Sequence, residues 1–153
     1  MNGDQRVGAI SLTRAEIDAL FVSNYEAWHA GRFAEVVRSY FHPQARLIYS
    51  GAGTFPPFSG THVGHNGIIC ATCKLAEIFE TPRAHIHDIV FENNRASVHS
   101  CLYLRHRPSR RAAELEICDR YVLDLKGQIV EWVAYADTGV LAHLAGYSEP
   151  SWD

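Results

Sequence analysis

The chain has 153 residues, 47% hydrophobic and 20% charged, and its 14 basic and 17 acidic side chains leave a net charge of -3. That length suits one domain, able to bury roughly two thirds of its unfolded surface without staples, and the composition excludes a disordered or collagen-like chain. The slight acidic excess argues against a phosphate-gripping surface, so nucleic acid is not an expected partner.

The first element starts at Thr13, where Thr13-Arg14-Ala15-Glu16 has the spacing of a capping box. Ile17, Leu20, Phe21, Asn24 and Trp28 follow at helical spacing, and Gly31 supplies a left-handed stop. Phe33, Val36, Val37, Tyr40 and Phe41 stripe a second helix, which His42-Pro43 ends. Residues 45–50 (ARLIYS) read as a strand, and 51–60, with three glycines and two prolines, as a loop. Residues 64–80 form a third helix, apolar around much of its circumference and so expected to be buried on more than one side.

Beyond Thr81-Pro82 the pattern changes to period two. Residues 84–92, 95–107, 114–125 and 128–137 read as consecutive strands, with Asn93-Asn94 and Lys126-Gly127 as turns. A short helical tail follows from Thr138 to Ala145. The expected fold class is therefore α+β, three N-terminal helices packed on one face of a curved antiparallel sheet. The expected domain is 13–146, with an N-terminal arm at 1–12 and a tail at 147–153.

Four cysteines occur, of which Cys70 and Cys73 form a CxxC inside the third helix. Without a second pair, and placed two turns into a helix, they read as reduced, partly buried thiols and not as a zinc or redox motif. No apolar run approaches the ~20 residues of a spanning helix, and the start lacks a secretory pattern. No membrane partner is expected, and the expected compartment is the cytoplasm.

The element order resembles the cone-shaped fold of nuclear transport factor 2, ketosteroid isomerase and the SnoaL-like polyketide cyclases, over residues 13–146. Its most specific stretch is 119–141, DRYVLDLKGQIVEWVAYADTGVL, which is similar to the last two strands of ketosteroid isomerases. "VVRSYFHPQARLIY" and "GHNGI" match by pattern. The resemblance implies a conical apolar pocket and a site within it.

Asp119 is the best single candidate. It is the only carboxylate on a strand face shared with Leu115, Ile117, Tyr121 and Leu123, and an apolar setting raises a carboxyl pKa. The resemblance places it on the oxyanion-hole aspartate of the isomerases, a protonated hydrogen-bond donor. The isomerases' second donor, a tyrosine, falls on Asn24, whose amide can still donate, and their proton-transferring aspartate falls on Tyr49, a poor base at neutral pH. Steroid isomerisation as such is therefore not expected. The cyclases' acid/base aspartate falls on Ala134, and an Arg-x-Asp pair of the limonene-epoxide hydrolases falls near Ser100 and Leu102, so neither of those sites is intact.

Histidine is the natural replacement base. Counting outward from Asn93-Asn94 pairs His87 with Ser100, on the more apolar face of its strand, so His87 is a candidate base pointing into the pocket. His85-x-His87 is alternatively a pair of metal ligands, but no third ligand is evident and no metal is expected. Trp28 and Trp132 line either the core or the pocket mouth; with Ser100 and Ala134 they are the candidate substrate contacts. The cluster Arg105, His106, Arg107, Arg110 and Arg111 reads as a solvated hairpin tip.

The leading expectation is a cofactor-independent isomerase, cyclase or lyase acting on a small, largely apolar carbonyl compound. Asp119 and Asn24 would stabilise an enolate, with His87 or Tyr49 moving the proton. The rival is a non-catalytic binding or dimerisation module of the same fold. His99, Cys101 and Tyr103 are too apolar for a solvated sheet face, so a homodimer through that face is expected.

Overall fold

A computed structural model describes residues 12–50 and 59–146. The expected arm and tail, and most of the 51–60 loop, lie outside the described residues. Helix α1 (Arg14–His29) opens on the expected capping box: the Thr13 hydroxyl accepts from the Glu16 amide at 3.3 Å, and the Thr13 amide donates to the Glu16 carboxylate at 2.7 Å. Gly31 at φ +75° turns the chain into α2 (Phe33–Tyr40), and β1 (Phe41–Tyr49) follows without a loop. The helix thus ends at Tyr40, so Phe41, expected on its stripe, instead opens the strand, and His42-Pro43 lies within that strand, where a register shift between Phe41 and Arg46 accommodates the missing donor.

Strand β2 (Gly60–Val63), not anticipated from the sequence, pairs with β1 and leads into α3 (Gly64–Ile78). Only Ile68, Ala71 and Thr72 of α3 are fully buried, so the helix has a single inward stripe. Cys70 and Cys73 fall off that stripe and are exposed, contrary to the partly buried thiols expected.

The sheet continues through β3 (Phe79–Glu92), β4 (Arg95–His106), β5 (Ala112–Leu123) and β6 (Ile129–Ala136), in the spatial order β2-β1-β6-β5-β4-β3. β1 and β6 run parallel, so the sheet is mixed where the sequence suggested a wholly antiparallel one. The Asn93-Asn94 turn closes as expected with Glu92 opposite Arg95, and Asn93 takes φ +56°, a conformation asparagine tolerates. Asp137 caps α4 (Thr138–Ala145), accepting from the Gly139 and Val140 amides at 2.9 and 3.3 Å.

One face of the curved sheet takes the helices. Ile17, Phe21, Val37, Leu47, Ile68 and Val98 are among its fully buried core. A second cluster, in which Leu141 and Leu144 of α4 meet Phe79, Leu104 and Leu115, closes one end. Between the two lies a cavity.

Candidate functional site

The alternation of β5 turns Leu115, Asp119, Tyr121 and Leu123 inward together, as the sequence implied. Asp119 is 5% exposed and lines a cavity of about 120 Å³. That is close to the roughly 150 Å³ at which an apolar cavity accepts one benzene ring. The walls are largely apolar: Trp28, Leu75, Leu102, Leu104, Ile117 and Trp132 are among them.

Both carboxylate oxygens of Asp119 are engaged. The Trp132 indole donates to Oδ1 at 2.7 Å, and the Tyr25 hydroxyl donates to Oδ2 through a very short contact. Trp132 is delivered by β6, which places its neighbour Ala134 directly opposite Asp119. Its ring stacks on Tyr121 at 5.8 Å and meets Trp28 edge-on at 5.2 Å. No ion pair to Asp119 exists among the described residues. Burial pushes its pKa from 3.8 up to about 6, against the opposing pull of the Tyr25 and Trp132 hydrogen bonds. Burial, and then the nearby Asp119 charge, raise Tyr25, Tyr49 and Tyr121 above the ordinary phenol range. The carboxyl is therefore surrounded by neutral donors, and at pH 7 a group of pKa about 6 is ionised by about ten to one.

Asn24 is buried at the cavity wall, with its side-chain oxygen making no hydrogen bond. Ser100 lies fully buried close to the Tyr25 hydroxyl, without a hydrogen bond of ordinary geometry. Tyr49, Trp28, Trp132 and Ala134 also line the cavity. Of the expected site residues, only His87 is elsewhere. A bulge between Ile86 and Asp88 gives Ser100 the partner Ile86 in place of His87. His87 therefore faces away from the helices, 3.3 Å from the Glu116 carboxylate, and is not a pocket base.

Two cavity residues escaped the sequence reading. Tyr25 follows Asn24 directly and is not a member of the stripe Ile17, Leu20, Phe21, Asn24, Trp28. His29 is one turn further, its ring 6.4 Å from that of Tyr25, with both ring nitrogens buried and without a hydrogen bond of ordinary geometry. Burial lowers its pKa, so its imidazole is neutral at pH 7. The spacing 24, 25, 28, 29 is itself a helical stripe of polar and aromatic groups, and that was the available signal. Trp28, His29, Leu75 and Thr81 also border a second depression beside Arg107, so these four stand between the cavity and the surface.

Residues 22–132 match the SnoaL-like domain family. The chain belongs to that family. Among solved structures, this SnoaL-like protein is similar to a nuclear transport factor 2-like protein of unknown function from Burkholderia pseudomallei. The two are 20% identical with a TM-score of 0.74, over 84% of this chain and 96% of that one. A protein from Rhodopseudomonas palustris, provisionally titled an isomerase, is 16% identical with a TM-score of 0.71, over 82% and 95%. A protein from Catenulispora acidiphila with a ketosteroid isomerase-like fold, solved with trimethylamine, is 8% identical with a TM-score of 0.68, over 83% and 92%. At these identities the likeness establishes the fold. No curated protein matches the sequence. No helix among the described residues is long and apolar enough to cross a membrane.

Proposed function

We propose that this SnoaL-like protein is an acid/base enzyme of isomerase, cyclase or lyase type, acting without a cofactor on a small, largely apolar carbonyl compound. The observation that carries this reading is Asp119: a carboxyl buried in an apolar cavity wall, without a cationic partner among the described residues and with a pKa of about 6. A base of that strength is mostly ionised at neutral pH yet strong enough to take an activated carbon-bound proton. The role differs from the neutral donor suggested by the ketosteroid isomerase resemblance, because Tyr25 and Trp132 both donate to Asp119 and favour its charged form.

In this scheme Asp119 removes a proton α to the substrate carbonyl. The electron pair moves to the carbonyl oxygen, giving an enolate, and Asp119 then returns the proton at the original or a conjugated carbon. Asn24 lines the same cavity, and its side-chain NH2 donates to the enolate oxygen. The apolar walls exclude water and hold the ring or chain of the substrate. The isomerase name given to the R. palustris neighbour is consistent with this chemistry.

The test is exchange of α-protons for deuterium in a panel of small cyclic ketones and enones, followed by NMR. Asp119→Asn should slow the exchange about 10²–10⁴-fold, the usual contribution of a positioned base. Equal exchange in both proteins would overturn the assignment. A second reading, a binding module, is favoured by one observation: both Asp119 oxygens already hold protein donors. Tight binding of the same ketones without any exchange would select it.

A further inference from the structure

The face of the sheet opposite the cavity carries an unusual row of side chains. β3, β4 and β5 bring His85 opposite Cys101 and Cys101 opposite Glu116 in continuous register. The bulge that removes His87 from the cavity adds it to this row, its ring 5.1 Å from His85 and 4.7 Å from His99. One ring nitrogen of His87, the sulfur of Cys101 and a carboxylate oxygen of Glu116 all lie within 4.8 Å of one another.

We propose that His87, Cys101 and Glu116 form a binding site for a transition-metal cation of the zinc class on the outer face of the sheet. The donor set of imidazole nitrogen, thiolate sulfur and carboxylate oxygen suits zinc or cobalt and not magnesium or calcium, which take oxygen ligands. Bonds of about 2.0–2.1 Å to nitrogen and oxygen place tetrahedral ligands about 3.3 Å apart. His87 Nε2 and Glu116 Oε2 are 3.3 Å apart. Cys101 sits on the central strand between the two, and its side chain turns to close the third corner. Three protein ligands leave a fourth position for water.

His99 is a positioning residue for this site. Its Nε2 lies 2.9 Å from Glu116 Oε2, and its Nδ1 lies 3.8 Å from the Asp88 carboxylate. An imidazole hydrogen-bonded to a ligating carboxylate is the kind of support that fixes a metal ligand in place. On binding, the Cys101 thiol releases its proton to solvent and His87 binds through the lone pair of its neutral ring. The site shares no residue with the cavity.

The experiment is a titration of the chelator-stripped full chain with cobalt(II), read by thiolate-to-cobalt absorption and by stoichiometry. One cobalt per chain with thiolate absorption is expected, displaced by zinc. Cys101→Ser should abolish the absorption, whereas the Cys70→Ser/Cys73→Ser double variant should retain it. His99→Ala should keep the absorption but weaken the affinity about 10–100-fold. Circular dichroism of each variant checks that it is folded. Absorption that persists in folded Cys101→Ser, half a cobalt per chain, or no saturable thiolate absorption in the wild type would each overturn the proposal.

Discussion

Asp119 and Glu116 lie three residues apart on one strand and on opposite faces of one sheet, and their surroundings make them different acids. Asp119 is inside the cavity, where lost solvation dominates and lifts its pKa to about 6. Desolvation acts on Glu116 too, but His87, His99 and the Cys101 thiol together outweigh it and hold that carboxyl below the ordinary range. The strand supplies position; the neighbours supply the chemistry. A carboxylate among neutral donors and apolar walls is equipped to accept a proton, whereas one among imidazoles and a thiol is equipped to share a cation.

The comparison breaks most sharply at Asp119 itself. If the cavity carboxylate is the base, the rate of α-proton exchange should fall on the acid side with a midpoint near 6, and Asp119→Asn should remove that dependence along with the activity. An acid limb that persists in the variant would assign the proton to another group, with His29 the first to examine.

Stability gives the next largest effect. A carboxyl that moves from 3.8 unfolded to about 6 folded binds more protons in the folded state between those values. Its contribution therefore favours folding below about pH 4 and is lost as pH rises through about 6, on the order of 3 kcal/mol in all. The unfolding free energy of the wild type minus that of Asp119→Asn should fall by this amount between about pH 4 and pH 8. Denaturant melts across that range check it, and a flat difference would contradict the burial argument.

Smaller still are the donors. Removing the Tyr25 hydroxyl or replacing the Trp132 indole deletes a hydrogen bond to the charged form, worth about 1.5–3 kcal/mol. Tyr25→Phe and Trp132→Phe should each raise the Asp119 pKa by about 1–2 units. An unchanged value in either variant would mean that its contact with the carboxylate is not maintained in solution.

Much of this was legible in the sequence because local signals agreed with the final structure. The Thr13 capping box, the Asn93-Asn94 turn and the alternation that turns Asp119 inward each rest on a few adjacent residues. The parallel pairing of β1 with β6 was not legible, because it joins segments more than eighty residues apart and leaves no local mark. The bulge at His87 was hidden for a different reason: one extra residue in a strand carries no composition signal, yet it reverses the face of that side chain. Tyr25 was missed because a cavity-facing helix turns a broader arc inward than a core-facing one. Selecting only the most apolar stripe chose Asn24 and passed over its neighbour. The outer-face cluster was half visible as His85-x-His87, but its remaining members lie on other strands, and only the register brings Cys101 and Glu116 beside them.

The most direct test of the central claim is the titration of the Asp119 side-chain carboxyl, followed by carbon NMR with Asp119→Asn to assign the resonance. The expected midpoint is near 6, so that the group is a carboxylate in most molecules at neutral pH. A midpoint at the ordinary value of about 3.9 would show that the cavity does not desolvate it, and one above about 8 would make it a neutral donor and not a base.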